Sequence, residues 1–499
     1  MAKQSISTTR GAGILLPVSS LPSNYGIGTF GKEAYNFIDL LVKAKQKYWQ
    51  VLPIGPTSYG DSPYQSFSAF SGNPYFIDLD TLMEEGLLTR EDVEQYEWGS
   101  NESYVDYAKV FESRFKVLRV AFNNSKHMDT AEYKDFCKSS KFWLDDYSLY
   151  MSVKYKFDNK EWSEWDEDIR NREPEAVKRY AKELKEDVDF WKFCQFKFRQ
   201  QWTELKKYAN ENDIRIIGDI PLYVAMDSAD VWVHGRLFQL DERKNPTHIA
   251  GVPPDNFSAT GQRWGNPLYD WDVMEEEGFG WWKERMKSNA ALYDIIRIDH
   301  FIGIVRYFKI PASCPTAEEG EWVEGPGKKL TNAIKKAIGD SEIIAEDLGV
   351  VVDSVRNLIN ETGWPGMKIL EFGFDGGASN DNLPHHYHKN CIVYGGTHDN
   401  ETLVGYFKEQ NPWHTPFTLD YLNIKDKEEI PGAIIRAAYA SVANTAIFQL
   451  QDILGLDNSA RMNFPGTLGG NWEWRMKKGQ FEERHVEYLK KLVYVYGRD

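Results

Sequence analysis

Short apolar segments recur along the chain, and each of them ends in glycine, proline or polar residues. Runs of this kind, rich in β-branched and aromatic residues, are typical of buried strands. Apolar spacings of three and four residues lie between several of them, as in amphipathic helices. The eight candidate strands are GILLPVSS from Gly13, YWQVLPIG from Tyr48, RIIGDIP from Arg215, IIRIDH from Ile295, EIIAEDLG from Glu342, MKILEFGF from Met367, CIVYGGTHDN from Cys391 and ARMNFPG from Ala460.

The alternation of eight strands with helices predicts a (β/α)8 TIM barrel, with a doubly wound open sheet as the alternative. No G-x-G-x-x-G motif follows the first strand, which weakens the dinucleotide-binding form of that alternative. A barrel needs only about 250 residues, whereas this chain has 499. We therefore expect one barrel over 1–499 with large, mainly helical insertions, the largest at 60–213 between strands 2 and 3, and no separate C-terminal β-domain.

Charge and cysteine content exclude several classes of protein. The formal net charge of −16 opposes binding to nucleic acid. The four cysteines form no C-x-x-C pair, so neither a disulfide framework nor a zinc site is indicated, and a reducing cytoplasm is expected. The N-terminal segment lacks a signal-peptide run, and the most apolar later helix, predicted around 432–454, contains Arg436. No membrane association is expected.

Polar side chains follow several of the candidate strands at the point where each strand ends. In (β/α)8 barrels the carboxyl ends of the strands meet at one mouth, where active sites form. Burying such groups without partners costs roughly 2–7 kcal/mol each, so their convergence indicates a site. The residues are Asp219, Arg297, Asp299, His300, Glu346, Asp347, His398, Asp399 and Asn463.

Carboxylates at three separate strand ends suit glycoside cleavage with retention, which needs a nucleophile, a proton donor and groups that hold the sugar ring. Arg297 precedes Asp299 by two residues and lies on the same side of the strand, so we expect it to lower the pKa of Asp299 and keep it ionised. Glu346 follows an apolar run, so we expect its pKa to rise toward that of a general acid. Asp347 fits a structural ion pair or helix cap.

Two other chemistries fit these residues less well. Asp299 with His300, and His398 with Asp399, are possible metal ligands, but the chain has neither H-E-x-x-H nor H-x-H. A nucleophilic serine is disfavoured because no G-x-S-x-G motif is present. Aromatic residues make up 14% of the chain, which suits stacking on sugar rings although most of them should fill the core.

Longer motifs carry a resemblance to a known family. RIDH at 297–300, AEDLG at 345–349 and GGTHDN at 395–400 resemble the catalytic segments of the α-amylase clan. GPTSYGDSPYQSFSAFSGNPYFIDL at 55–79 and AGVPPDNFSATGQRWGNPLYDW at 250–271 resemble the 4-α-glucanotransferases of glycoside hydrolase family 77. Matching motifs run from GILLPVSSLPSNYGIGTFG to NFPGTLGGNWEWR, so the resemblance covers essentially the whole chain.

The resemblance implies a role for each matching residue. Asp299 would be the nucleophile, Glu346 the acid/base and Asp399 the transition-state stabiliser. Residues 246–270 would form a loop over the cleft. Glu401 departs from the pattern, since a second aspartate is expected after HDN. The substrate-binding residues implied are Tyr64, Asp219, Asp255, Trp264, Arg297, His300, His398 and Asn463, with Tyr59 on a second glucan-binding surface.

The resemblance also implies an activity, which is the retaining transfer of α-1,4-glucan segments between maltooligosaccharide chains, with glucose as an acceptor. No motif requires a cofactor, and a monomer or weak homodimer is expected. An α-1,4-glucan hydrolase would use the same carboxylates and remains an alternative. A noncatalytic carbohydrate-binding protein is the second alternative, although all three acids are retained.

Overall fold

The structure, a computed structural model, describes residues 5–254, 258–349 and 351–499. The strands in these ranges are β1 (Gly11–Leu15), β2 (Tyr48–Gln50), β3 (Arg215–Ile220), β4 (His248–Val252), β5 (Gln262–Pro267), β6 (Ile295–Ile298), β7 (Arg306–Pro311), β8 (Glu321–Glu324), β9 (Glu342–Ala345), β10 (Gly366–Ile369), β11 (Cys391–Tyr394) and β12 (Thr445–Gln449).

The helices vary widely in length, and α9 is a 27-residue example. In the same ranges they are α1 (Lys32–Lys43), α2 (Leu79–Glu84), α3 (Arg90–Glu94), α4 (Tyr107–Asn124), α5 (Ala131–Ser139), α6 (Leu144–Lys156), α7 (Glu167–Arg170), α8 (Pro174–Glu183), α9 (Lys185–Glu211), α10 (Ala229–Val233), α11 (Trp271–Glu276), α12 (Gly280–Leu292), α13 (Ile302–Val305), α14 (Gly327–Ile338), α15 (Asp353–Thr362), α16 (Leu403–Glu409), α17 (Thr415–Leu422), α18 (Ile430–Ala440), α19 (Leu450–Ile453) and α20 (Glu483–Tyr496). No helix in the described ranges has both the length and the apolar character needed to cross a membrane.

A parallel sheet of eight strands forms the centre of the molecule, in the order β10-β11-β12-β1-β2-β3-β6-β9. This order follows the chain once around a circle, so β9 and β10 are the pair that closes it. The Ala345 N–H donates to the Pro365 carbonyl at 2.9 Å and joins the two ends. The predicted (β/α)8 barrel is confirmed, and the doubly wound open sheet is wrong.

The eighth strand lies at a different place from the one predicted. ARMNFPG forms no strand, and the barrel is completed by β12, which pairs with β11 and β1. The helix expected over 432–454 ends with α18 at Ala440, and a short connection precedes β12. Every residue of β12 is buried, so the strand shows no alternation. Periodicity cannot distinguish such a strand from a buried helix.

Two insertions extend the barrel. Helices α2 to α9 lie between β2 and β3, and the amides of Gln195 and Gln201 on α9 each bond both the N–H and the carbonyl of a residue in the segment 72–78. The second insertion is an antiparallel sheet in the order β5-β4-β7-β8. The segment 246–270 therefore contains a β4–β5 hairpin, where only a loop was expected.

At the amino-terminal end of the barrel, Arg498 is fully buried and holds several chain segments together. Its guanidinium donates to carbonyls of β1, of α18 and of the connection before β12. Replacing Arg498 with Met should leave these carbonyls short of donors, at about 1–3 kcal/mol each. We predict that Arg498→Met lowers the free energy of unfolding by about 3 kcal/mol or more in urea denaturation.

The exposed Arg484 on α20 provides the matched control, since its contact is a surface ion pair with Glu482. Arg484→Met should change the unfolding free energy by less than about 1 kcal/mol. Equal midpoints for the two variants would contradict the structural role assigned to Arg498.

Candidate active site

A buried arginine connects the ends of β3 and β6. Asp219 and Arg297 are register partners on these two strands. Arg297 Nη1 donates to Asp219 Oδ1 at 2.7 Å and Oδ2 at 2.6 Å, and to Asp299 Oδ1 at 3.0 Å. The side chains of Arg297 and Asp219 are 4% and 0% exposed, so this pair is fixed in the barrel. Arg297 therefore orients Asp299, whose side chain is 27% exposed in the cleft.

The carboxylate of Glu346, at the end of β9, is held by two backbone donors. Its Oε2 accepts the His300 N–H at 2.6 Å, and its Oε1 accepts the Leu348 N–H at 2.8 Å. His300 has a φ of +51°, a left-handed conformation that is uncommon outside glycine. His300 directly follows Asp299 in the chain. The backbone N–H that holds Glu346 therefore belongs to the residue next to Asp299.

The pKa values of these two acids both rise. Burial raises the pKa of Glu346 to about 7, as predicted, against the opposing effects of Arg297 and the two backbone donors. Burial also raises the pKa of Asp299, since the lowering by Arg297 is outweighed by burial together with Asp219, Glu346 and Asp399. The predicted lowering for Asp299 is therefore wrong. One guanidinium is shared between Asp219 and Asp299 and cannot offset every carboxylate nearby.

Asp299 and Glu346 interact electrostatically, so a proton bound to the pair is held by one or the other of them. The proton belongs on Glu346, for two reasons. Asp299 accepts a charge-assisted bond from Arg297, which favours its ionised form. Glu346 is only 7% exposed, and its two donors among the described residues are neutral backbone N–H groups.

The third acid, Asp399, follows β11. Asn463 Nδ2 donates to Asp399 Oδ1 at 2.7 Å, and His398 Nε2 lies 3.5 Å from Asp399 Oδ2. The Tyr64 ring stacks on the His398 ring at a centroid distance of 5.1 Å, and its hydroxyl donates to Asp219 Oδ2 at 2.8 Å. Tyr64 thus connects the Asp399 side of the cleft to the Arg297 side.

Two histidines in the cleft are neutral at pH 7. Burial lowers the pKa of His300 to about 4 and also lowers the pKa of His398. His300 Nε2 and His398 Nδ1 are buried and have no hydrogen-bond partner among the described residues. The Trp264 ring, from β5, contacts the His300 ring edge-on at 4.8 Å. The site therefore places uncharged imidazole rings beside aromatic faces, which suits an uncharged, hydroxyl-rich ligand.

The structure brings most of the predicted residues into one connected group. Tyr59 is 94% exposed and lies apart from the group, and Asp255 lies outside the described residues. Asp347 is structural, as expected, because its Oδ1 accepts the Met367 N–H at 2.7 Å. The connected residues are Tyr64, Asp219, Trp264, Arg297, Asp299, His300, Glu346, His398, Asp399 and Asn463.

Sequence reasoning missed two residues next to this group. The Trp472 ring lies 5.7 Å from the Tyr64 ring and 5.9 Å from the His398 ring. Arg461 donates to the backbone carbonyl of Asp399 at 2.9 Å. Both lie in or beside the NFPGTLGGNW segment, whose proline and glycines indicate a shaped loop. Over the described ranges, no three His, Cys, Asp or Glu side chains are arranged to hold a metal ion.

Comparison with known proteins agrees with this geometry. The model of glycoside hydrolase family 77, described as 4-alpha-glucanotransferase, matches residues 16–481. The chain belongs to this family. A 4-alpha-glucanotransferase from Clostridium butyricum is 49% identical over 483 residues, which are 96% of this chain and 99% of the relative. One from Streptococcus pneumoniae is 47% identical over 492 residues, 98% of this chain and 97% of the relative.

A solved structure is also similar to this chain over almost its whole length. The amylomaltase from Streptococcus agalactiae in complex with acarbose superposes with a TM-score of 0.95 at 43% sequence identity. The match covers 98% of this chain and 99% of that chain. The barrel and both insertions therefore belong to a shared architecture.

The raised pKa of Glu346 predicts how the free energy of unfolding changes with pH. A carboxyl whose pKa is higher in the folded state binds more protons when folded, so its stabilising contribution is present at low pH and is lost as pH rises through about 7. Between pH 5 and pH 8 this loss is roughly 2–3 kcal/mol. We predict that the unfolding free energy of Glu346→Gln, relative to that of the parent protein, rises by this amount from pH 5 to pH 8. Urea denaturation of both proteins at the two pH values measures it.

The exposed Glu409 provides the control. Glu409→Gln should show the same difference between pH 5 and pH 8 as the parent protein. If Glu346→Gln also showed the parent's difference, the burial assigned to Glu346 would be wrong.

Proposed function

We propose that this protein is a 4-α-glucanotransferase, which moves an α-1,4-glucan segment from one maltooligosaccharide or starch- or glycogen-derived chain to the 4-hydroxyl of another glucan or of glucose. Family membership over 16–481 supports the activity. The observation that carries the mechanism is the pairing of Asp299 and Glu346, one held by Arg297 and the other by the His300 N–H. This arrangement provides an ionised nucleophile beside a protonated acid.

In the first step Asp299 attacks the anomeric carbon while Glu346 protonates the departing glycosidic oxygen. Arg297 holds Asp299 Oδ1, which leaves Oδ2 for the sugar. The burial that raises the pKa of Glu346 to about 7 keeps the acid protonated near neutral pH. A glucan ester of Asp299 forms, and the released chain leaves with a hydroxyl end.

Asp399 stabilises the positive charge that develops on the sugar ring in this step. Its Oδ1 is occupied by Asn463, so Oδ2 faces the ring and its hydroxyls. The uncharged His300 and His398 rings flank the sugar in this proposal. Tyr64 provides a flat platform whose hydroxyl is held by Asp219.

In the second step the ionised Glu346 accepts the proton of the acceptor's 4-hydroxyl, and the resulting oxygen displaces Asp299. The two inversions give net retention, which requires the two carboxyl groups to lie about 5 Å apart. Transfer prevails over hydrolysis when a bound acceptor outcompetes water. We assign this task to the segment 246–270, in which Trp264 contacts His300 and Asp255 would bind acceptor sugars.

Three further expectations belong to this proposal. Tyr59, with its 94% exposed ring, would stack on a glucan at a second surface. Cytoplasmic location fits the four cysteines, which are all free. The protein would work as a monomer or weak homodimer without a cofactor.

Incubation with maltotriose, followed by chromatography of the products over time, tests the proposal. We predict that glucose appears together with a ladder of longer maltooligosaccharides, and that Asp299→Asn forms neither. Asp347→Asn is the matched control, since this neighbouring carboxylate accepts a bond from the backbone N–H of Met367 in the barrel, and it should retain the ladder. Glucose and maltose without longer products would instead establish a hydrolase, and no products would favour a binding protein.

A further inference from the structure

Arg461 connects two loops of the active site, although the mechanism above gives it no role. Its Nη2 donates to the Asp399 carbonyl at 2.9 Å, and its Nε donates to the Asn463 carbonyl at 2.8 Å. One planar guanidinium therefore fixes the spacing between the backbones of the loop after β11 and the loop at 461–464. Arginine is suited to this because its donors diverge from a rigid plane.

Asp399 and Asn463 also contact each other through their side chains. Asn463 Nδ2 donates to Asp399 Oδ1 at 2.7 Å. The Asp399 side chain is 46% exposed, and the other nearby group is His398 Nε2 at 3.5 Å. The orientation of this exposed carboxylate thus depends on Asn463, and the reach of Asn463 depends on the backbone spacing that Arg461 sets.

Arg461 is itself held firmly. Its side chain is 13% exposed and its guanidinium lies over the Phe464 ring at 4.0 Å. Glu401 Oε1 lies 3.9 Å from Nη1, and the other oxygen of Glu401 is hydrogen-bonded by Asn458. Glu401, the residue that departs from the expected aspartate, therefore contacts the arginine.

The loop that carries Asp399 is also fixed from the opposite side. Asn400 Oδ1 accepts the Thr397 N–H at 2.8 Å, and Asn400 Nδ2 donates to Glu371 Oε1 at 2.8 Å. Glu371 is 2% exposed and is the second residue after β10. The backbone of the loop is thus anchored to the barrel, which leaves Arg461 to set its distance from Asn463.

We propose that Arg461 is a positioning residue that holds Asp399 and Asn463 in the geometry needed to stabilise the transition state. The inference rests on the role proposed for Asp399. A carboxylate that is displaced by about 1 Å from a developing charge can lose about 10²-fold in rate. Ground-state binding depends less on this contact, so the loss falls on kcat more than on KM.

The test compares Arg461→Met and Arg461→Lys with the parent protein, using maltotriose. Arg461→Met should lower kcat by about 10²-fold and change KM by less than about threefold. Arg461→Lys restores the charge but not two diverging donors, so kcat should recover only partly. Arg461→Met should then be added to Asp399→Ala, with α-maltosyl fluoride as the activated donor, and should cause no further loss because both changes act through one carboxylate.

Arg475 provides the matched control, since it is buried and donates to the carbonyls of Leu21 and Ser23 away from the acids. Arg475→Met should lower the urea midpoint without changing kcat per folded molecule. The proposal fails if Arg461→Met behaves in the same way, or if it lowers kcat equally with and without Asp399. Full activity of Asp399→Ala would instead remove the role of Asp399 on which the inference rests.

Discussion

The structure of this site depends on one interaction, the contact of Arg297 with both Asp219 and Asp299. A buried guanidinium needs a buried counter-charge, and Asp219 supplies it from the neighbouring strand. Because Asp219 takes up much of the positive charge, Arg297 orients Asp299 without holding its pKa low. Burial raises the pKa of both Asp299 and Glu346, so the pair can hold a single proton. That shared proton is what a retaining mechanism requires, with one carboxylate as the nucleophile and one carboxylic acid as the donor.

The barrel and its insertions have different roles in the proposed mechanism. Asp219, Asp299, Glu346 and Asp399 lie at or after the ends of barrel strands and supply the chemistry of the proposed mechanism, because parallel strands bring their carboxyl ends to one mouth. In the proposed mechanism the insertions supply sugar contacts. Trp264 arrives on the β4–β5 hairpin, while glutamines of α9 secure the segment 72–78 that follows the Tyr64 loop.

Much of this arrangement could be predicted from the sequence, because local patterns determine it. Seven strands end in glycine, proline or polar residues, and their order placed the acids at one mouth. Three features depend on tertiary contacts that no local pattern encodes. β12 lacks alternation since it is buried on both faces. The pKa of Asp299 depends on Asp219, which is 80 positions away in the chain. Arg461 contacts Asp399 across a separation of 62 residues.

The central claim is that Asp299 is the nucleophile and that Glu346 controls the proton. Glu346→Gln should be incubated with α-maltosyl fluoride, whose fluoride leaves without a proton donor. The glutamine cannot deprotonate an acceptor, so the covalent intermediate should accumulate. Mass spectrometry after peptic digestion should then find one maltosyl unit on the peptide that contains Asp299. A maltosyl unit on the Asp399 peptide, or fluoride release without any labelled peptide, would contradict the account.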